Sequence, residues 1–425
     1  MNIINSFMAM DVFTQTILVL AIITGFYMAW NIGANDVANA MGTVVGSGSI
    51  TIKQVIILAG IFEFCGAFFV GGNVADTISK GIVSPVVVQN ANFFIMGMLA
   101  ALIASSIWLN VATYFGWPVS TTHAIVGGVT GFGILVGGFG AVNWSKMGNI
   151  VASWIISPVM GAAIAFIVFK VVETTILEKR NPVRSAKKSV PLIVGASSFV
   201  MVFSLLYKGL KNLKLEINFI EALGISVVAA VFLSILTYVL MQKLDHNGDD
   251  KEQKYEIVEG VFMKLQLVTA CYISFAHGAN DVANAVGPVA GIYSALINKS
   301  GEIGEKVTVP SWILVMGAIA IVIGIATYGY KVIGTIGEKI TEITATRGFS
   351  AEVGTATTVL IASRMGLPIS TTHTLVGAVI GVALGRGVAV LNLKMIKNIV
   401  ASWFITIPVT VVFTIIILKF MMLFQ

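Results

Sequence analysis

Two aspartates stand in segments that otherwise look made for lipid. Asp36 lies in Gly33-Ala34-Asn35-Asp36-Val37-Ala38-Asn39-Ala40, and 245 positions later Asp281 lies in the same octet, Gly278-Ala279-Asn280-Asp281-Val282-Ala283-Asn284-Ala285. A charged Asp at the centre of a bilayer costs on the order of 3 kcal/mol or more, so something must offset it. The oxygens of Asn35, Asp36 and Asn39, and of Asn280, Asp281 and Asn284, are hard ligands. A glycine ahead of Asn-Asp also favours local unwinding, which frees backbone carbonyls for a cation. The pattern predicts a pair of cation sites. The plainer alternative is that each Asp hydrogen-bonds a neighbouring helix and fixes packing.

A second motif also recurs, as Pro118-Val119-Ser120-Thr121-Thr122-His123 and Pro368-Ile369-Ser370-Thr371-Thr372-His373. Proline is tolerated where a helix begins, and hydroxyls cap its free amides, so each hexad reads as the start of a half-helix. Such an end attracts an oxyanion through its amides and dipole. Ser120, Thr121, Thr122, Ser370, Thr371 and Thr372 can donate to the anion's oxygens, and two ends facing each other would hold a tetrahedral ion from both sides. Ordinary capping is the alternative. Thr113 and Ser363, aligned by the same offset, add candidate hydroxyl ligands. His123 and His373 either orient the hydroxyls or titrate, or else pack as polar residues in a helix contact.

Two glutamates complete the set. Glu63 sits mid-run in Ile61-Phe62-Glu63-Phe64, and Glu352 opens the apolar arm before the second hexad. An intramembrane Glu points to cation coordination or proton relay, with a protonated acid bonded to a backbone carbonyl as the alternative. A constant offset sets Glu63 opposite Ile313 and Glu352 opposite Leu102, so the two copies are chemically unequal. Arg364 either attracts the anion or snorkels to an interface, and Gly127, Gly128, Gly131 and Gly133 read as close helix packing.

The electrostatics constrain how these groups work together. Unit charges about 6 Å apart interact by roughly 3 kcal/mol at an effective dielectric near 20, so two ionised aspartates would repel a phosphate-like anion. Sodium ions or protons that neutralise them favour the anion, and linkage requires the anion to favour them in return. That reciprocity is the basis of symport.

The elements that must position these residues follow from composition. The chain has 425 residues, of which 57% are hydrophobic and only 11% charged, with a mean hydropathy of +0.93. So few charges cannot cover a water-exposed surface, which excludes a soluble enzyme and indicates a polytopic membrane protein. The net charge of +6 is spread over loops and reports orientation, so no nucleic-acid partner is expected. Cys65 and Cys271 lie alone in apolar runs and give neither a disulfide framework nor a metal-ligand spacing. The first 52 residues lack Lys and Arg, so no cleaved signal is expected.

A third repeated string, Asn149-Ile150-Val151-Ala152-Ser153-Trp154 and Asn398-Ile399-Val400-Ala401-Ser402-Trp403, makes the chain a duplicated unit. It divides into a first transmembrane repeat over 1–170, a two-helix connecting insert with short cytoplasmic loops over 171–260, and a second repeat over 261–425. The run before Pro368 is only about 15 residues, roughly 22 Å of helix, too short for a hydrocarbon core of about 30 Å. Each hexad therefore marks a re-entrant hairpin, with tips at Gly116-Trp117-Pro118 and Gly366-Leu367-Pro368. Three full spans per repeat and two in the insert place the second repeat in the opposite orientation. With both termini outside, 17 of the 26 basic residues fall on the inner side and eight outside, with Arg364 set aside near a tip, in agreement with the positive-inside rule. The fold class is an all-α polytopic membrane protein, an inverted-topology repeat with discontinuous helices and two re-entrant helical hairpins.

The paired octets, each joined to Pro-Val/Ile-Ser-Thr-Thr-His, resemble the inorganic phosphate transporter (PiT) family, over nearly the whole chain. The resemblance implies a symporter that imports inorganic phosphate with sodium ions as the co-transported cofactor. By that likeness Asp36 and Asp281 match essential aspartates, Glu63 and Glu352 match glutamates tied to phosphate transport, and Ser120 and Ser370 match hairpin serines of the same kind. The long intracellular loop of eukaryotic members is replaced here by about residues 243–260. The expectation is a non-enzymatic, multi-pass plasma-membrane carrier, a homodimer in the lipid bilayer, working by alternating access around a mid-membrane site. The alternatives are a proton-coupled permease for phosphate, metal-phosphate or sulfate, an anion channel without stoichiometric coupling, and a membrane enzyme, for which no nucleophile is paired with a base or metal cluster.

Overall fold

Backbone in lipid must satisfy its own hydrogen bonds, and the apolar runs do so as helices. The computed structural model describes residues 10–83, 91–207, 217–244, 250–297, 309–333, 344–387 and 393–424. In chain order the long helices are α1 (Val12–Gly46), α2 (Ile52–Val70), α3 (Ala91–Tyr114), α4 (Thr121–Gly137), α5 (Trp144–Val172), α6 (Pro182–Leu206), α7 (Phe219–Gln242), α8 (Lys251–Asp281), α9 (Ala283–Ile297), α10 (Ser311–Tyr328), α11 (Ala345–Arg364), α12 (Thr371–Arg386) and α13 (Leu393–Met422). Among the described residues, nine helical segments are long and apolar enough to cross a membrane, and the chain is a multi-pass membrane protein. Local chemistry sets several boundaries. Thr51 with Gln54 and Asn218 with Glu221 form capping boxes on α2 and α7, and Asn181 caps α6 ahead of Pro182 at its first turn. Of the loop lysines counted for orientation, Lys208, Lys211, Lys214, Lys299, Lys306 and Lys339 lie outside the described residues.

Both octets depart from the expected unwinding. α1 runs unbroken through Asn35-Asp36, and in the second octet the turn at Val282 between α8 and α9 keeps a helical backbone, with its N donating to the Gly278 carbonyl at 3.4 Å. In both octets the polar side chains find partners on the hairpins, so neither helical ladder need open to satisfy them. Among the described residues, discontinuity resides in the two hairpins.

Each hairpin pairs a long arm with a shorter return helix: α3 with α4, and α11 with α12. Gly116 and Gly366 turn the chain at φ 67° and 68°, the left-handed region open to glycine without strain. The arms are longer than the apolar runs suggest. α3 has 24 residues and α11 has 20, about 36 and 30 Å at 1.5 Å per residue, against the 15 residues counted before Pro368. The undercounted part is the polar start of α11, which the fold buries: Thr346 donates to Glu259 of α8 through N (3.0 Å) and Oγ1 (2.7 Å), and Glu352 is fully enclosed. Short non-helical stretches at 117–120 and 367–370 then carry the chain back to where α4 and α12 begin.

The two repeats interlock. α10 packs on α1 and α2 on α8, while α4 lies against α13 and α12 against α5. Glycines permit the closest crossings: a Cβ on Gly33 would collide with the Ile321 carbonyl, and one on Gly278 with that of Glu63. Gly324 lies likewise against Trp30, and Gly66 against Phe275. These matched crossings put Glu63 in register with Ile321 rather than Ile313. A short link precedes α2 and a longer one precedes α10, so no constant offset aligns the two helices.

Candidate functional site

The start of each return helix faces the octet of its own repeat. Ser120 caps α4 by accepting from the His123 amide (3.1 Å), and Ser370 caps α12 from that of His373 (3.2 Å). Each serine keeps its own hydroxyl proton to donate elsewhere. The next residue reaches the aspartate: Thr121 Oγ1 donates to Asp36 Oδ2 at 2.8 Å, and Thr371 Oγ1 to Asp281 Oδ2 at 2.9 Å. The second threonine crosses over, with Thr122 donating to the Ile369 carbonyl (2.9 Å) and Thr372 to that of Val119 (3.4 Å). Two helix N-termini are thereby tied to each other beside two carboxylates.

The asparagines complete this lattice. Asn35 Nδ2 donates to Thr113 Oγ1 at 2.8 Å, and Asn280 pairs with Ser363 Oγ at the same distance. Asn39 Nδ2 donates to Asp36 Oδ1 (2.9 Å) and to Thr372 of the other hairpin (2.8 Å), and Asn284 Nδ2 to Thr122 (3.1 Å). All of these residues are buried. Three amide oxygens around the aspartates, on Asn35, Asn39 and Asn284, nevertheless have no hydrogen-bond partner. Buried acceptors without donors in a native fold call for an explanation, and a hard cation supplies one.

A histidine absent from the sequence expectations sits at the centre. His277 Nε2 lies 2.9 Å from Asp281 Oδ2 and 3.7 Å from Asp36 Oδ2, and its Nδ1 lies 2.5 Å from Glu63 Oε2. Ligand atoms of Asp36, His277 and Asp281 all fall within 4.8 Å of one another. Nδ1 is hydrogen-bonded to Glu63, whereas Nε2 is close to both aspartates but makes no hydrogen bond to either. Glu63 joins the paired aspartates through this ring, and its Oε1 has no partner. The signal was present in the sequence: His277 directly precedes Gly278, where the first repeat has Ile32.

Glu352 is not brought to this cluster. Its Oε1 accepts from Thr43 Oγ1 (2.6 Å) and Gln266 Nε2 (2.9 Å), and its Oε2 from Thr269 Oγ1 (2.5 Å). Gln266 Oε1 accepts in turn from Ser47 Oγ (2.7 Å). Thr43 lies two turns beyond Asp36 on α1, about 10 Å along the axis, so the molecule holds two separate buried acidic centres. Thr43, Gln266 and Thr269 were not foreseen, although each is a polar residue on an apolar helix a few turns from an octet.

His123 and His373 face away from the aspartates. Their ring centroids are 4.4 Å apart in a T-shaped pair, with Trp154 3.9 Å from His123 and Trp403 3.5 Å from His373. This four-ring cluster stands behind the caps and joins the two hairpins through α5 and α13. Arg364 points outward to α6, donating from Nη2 to the Phe203 carbonyl at 3.3 Å.

Comparison with known proteins agrees with this geometry. The profile of the phosphate transporter family matches residues 32–414. A protein of Pyrococcus horikoshii, provisionally named a phosphate permease, is 48% identical over 406 residues, covering 96% of this chain and 98% of that protein. The chloroplastic inorganic phosphate transporter 2-1 of Arabidopsis thaliana is 42% identical over 421 residues, covering 93% and 70%. A solved structure titled the sodium-dependent phosphate transporter superposes with a TM-score of 0.89 at 41% identity, covering 96% of this chain and 100% of that one.

Proposed function

The chain belongs to the phosphate transporter family, and from that premise we propose that it imports inorganic phosphate across the cell membrane in symport with sodium ions. The observation that carries this reading is the set of unpartnered buried amide oxygens beside two aspartates, enclosed by two helix N-termini rich in hydroxyls. Sodium is taken by Asp36 and Asp281 with oxygens of Asn35, Asn39, Asn280 and Asn284. A second cation position lies at Glu352, while Glu63 acts through His277. Phosphate is held by Ser120 and Ser370, and by Thr121, Thr122, Thr371 and Thr372 once cations at the aspartates and movement of the hairpins release their hydroxyl protons, with Thr113 and Ser363 steadying the asparagines.

The order of events follows from charge. Carboxylate oxygens within about 5 Å of each other repel by roughly 3 kcal/mol at an effective dielectric near 20, so cations load first and phosphate follows. Sharing between two hairpins lets one repeat rock against the other around the loaded site. The chain works as three units, repeats over 1–170 and 261–425 and an insert over 171–260. Both termini are outside, and a homodimer covers part of the apolar flank of α7, where Ile220, Val228 and Phe232 are exposed.

The test is uptake of labelled phosphate into proteoliposomes under an inward sodium gradient or an inward proton gradient. Uphill accumulation with sodium alone is the expected result. Accumulation with protons alone would replace this reading with proton coupling, for which His277 between Glu63 and Asp281 is the favouring observation.

A further inference from the structure

A second phosphate-recognising position lies apart from the transport site, at the membrane end of the insert. Three elements terminate together there: α2 at Val70, α6 at Leu206 and α11 at Arg364. They are tied by the bond from Thr77 Oγ1 to the Gly366 carbonyl (2.7 Å) and by that from Arg364 to Phe203. Between them and α8 is a cavity of about 350 Å³, walled by Phe62 and Phe69 of α2, Tyr272 of α8, Met201 and Leu205 of α6, and Leu360 of α11. Phe62, Met201 and Leu205 are half-buried, so the cavity opens toward lipid.

Its chemistry is divided along its length. The walls are apolar, whereas one turn beyond Leu360 the Arg364 guanidinium makes one hydrogen bond among the described residues and has its Nε buried without a partner. The guanidinium lies 5.8 Å from the Tyr207 ring centroid. A planar fork of donors suits a phosphate, and an apolar slot of this kind suits a hydrocarbon chain.

We infer that this cavity binds one glycerophospholipid, with an acyl chain between α2, α6 and α11 and its phosphodiester on Arg364. The lipid clamps the insert helix α6 to the arm of the second hairpin. Neither the sodium-coupled reading nor its failure bears on this site, since neither Arg364 nor a wall residue is given a part in holding sodium or phosphate.

The experiment is native mass spectrometry of the full chain purified in mild detergent from membranes containing phosphatidylglycerol. Wild type is expected to retain one phospholipid, and Arg364→Gln about tenfold less, as the loss of one charge-assisted contact implies. Leu205→Trp keeps the guanidinium but fills the cavity, and lowers retention similarly; it carries the test should R364Q not fold. Excess inorganic phosphate leaves the adduct in place. Equal retention by both variants, or displacement of the lipid by inorganic phosphate, would overturn the assignment.

Discussion

The two octets agree where they touch the hairpins and disagree one turn away. Thr121 meets Asp36 and Thr371 meets Asp281 at nearly the same distance, and Asn35 and Asn280 reach a hydroxyl at the same position of each arm. Next to the octet, however, Ile32 and Ile321 hold the positions that His277 and Glu63 hold in the other repeat. The hydroxyl cradle is two-fold and the charge is not. An anion can be shared evenly between the hairpins, but a cation approaching Asp281 meets an imidazole already 2.9 Å away.

The largest expected effect comes from breaking the shared part. Asp36→Asn or Asp281→Asn removes a full charge from the cation site, worth about 3 kcal/mol and hence roughly 100-fold in sodium-driven uptake. Wild-type uptake by both variants would reduce the aspartates to packing residues. The unequal part is tested by making the repeats alike. His277→Ile alone leaves Glu63 buried and unpaired, a loss of about 3 kcal/mol of stability, whereas His277→Ile with Glu63→Ile reproduces the apolar pair and recovers most of it. Denaturation in detergent gives the cycle, and additive losses would mean that the two residues do not act as a pair. With the imidazole gone, half-saturating sodium falls by about threefold; an unchanged value would show that His277 does not compete with the ion.

A smaller effect is expected at the caps. Ser120→Ala with Ser370→Ala raises the phosphate concentration for half-maximal uptake by about tenfold, the net loss of two charge-assisted donors that water and the helix amides partly replace. The rate at saturation changes little, because Thr121 and Thr371 still hold the aspartates. An unchanged half-maximal concentration would remove the serines from the anion site.

Much of this was legible because duplication writes the same constraint twice. The octets, the hexads, the inverted repeat and the unequal glutamates were all visible as residues. His277 was hidden by its place just outside the repeated string, where only comparison with Ile32 makes it stand out. The nest around Glu352 was hidden for a different reason. Thr43, Gln266 and Thr269 come from two helices far apart in sequence, and single polar residues on apolar helices give no periodic signal. The length of α11 was underestimated because its first turns are polar, and only tertiary contact with Glu259 and Gln266 makes that polarity compatible with burial.

The finest difference between the repeats lies in the ring cluster. Trp154 Nε1 donates to the Pro368 carbonyl at 3.0 Å, whereas Trp403 Nε1 is buried without a partner. An inverted-repeat carrier reaches its opposite-facing state by exchanging the conformations of its repeats, so the Trp403 bond should form, to Pro118, when that of Trp154 breaks. Each bond contributes about 1 kcal/mol to the state that holds it, about a fivefold population shift. Trp154→Phe therefore moves the equilibrium away from the present state and Trp403→Phe moves it toward that state. Labelling rates of one cysteine introduced on α4 and facing the hairpin crevice report the direction. Shifts of the same sign in both variants would show that the indoles fill space without marking the state.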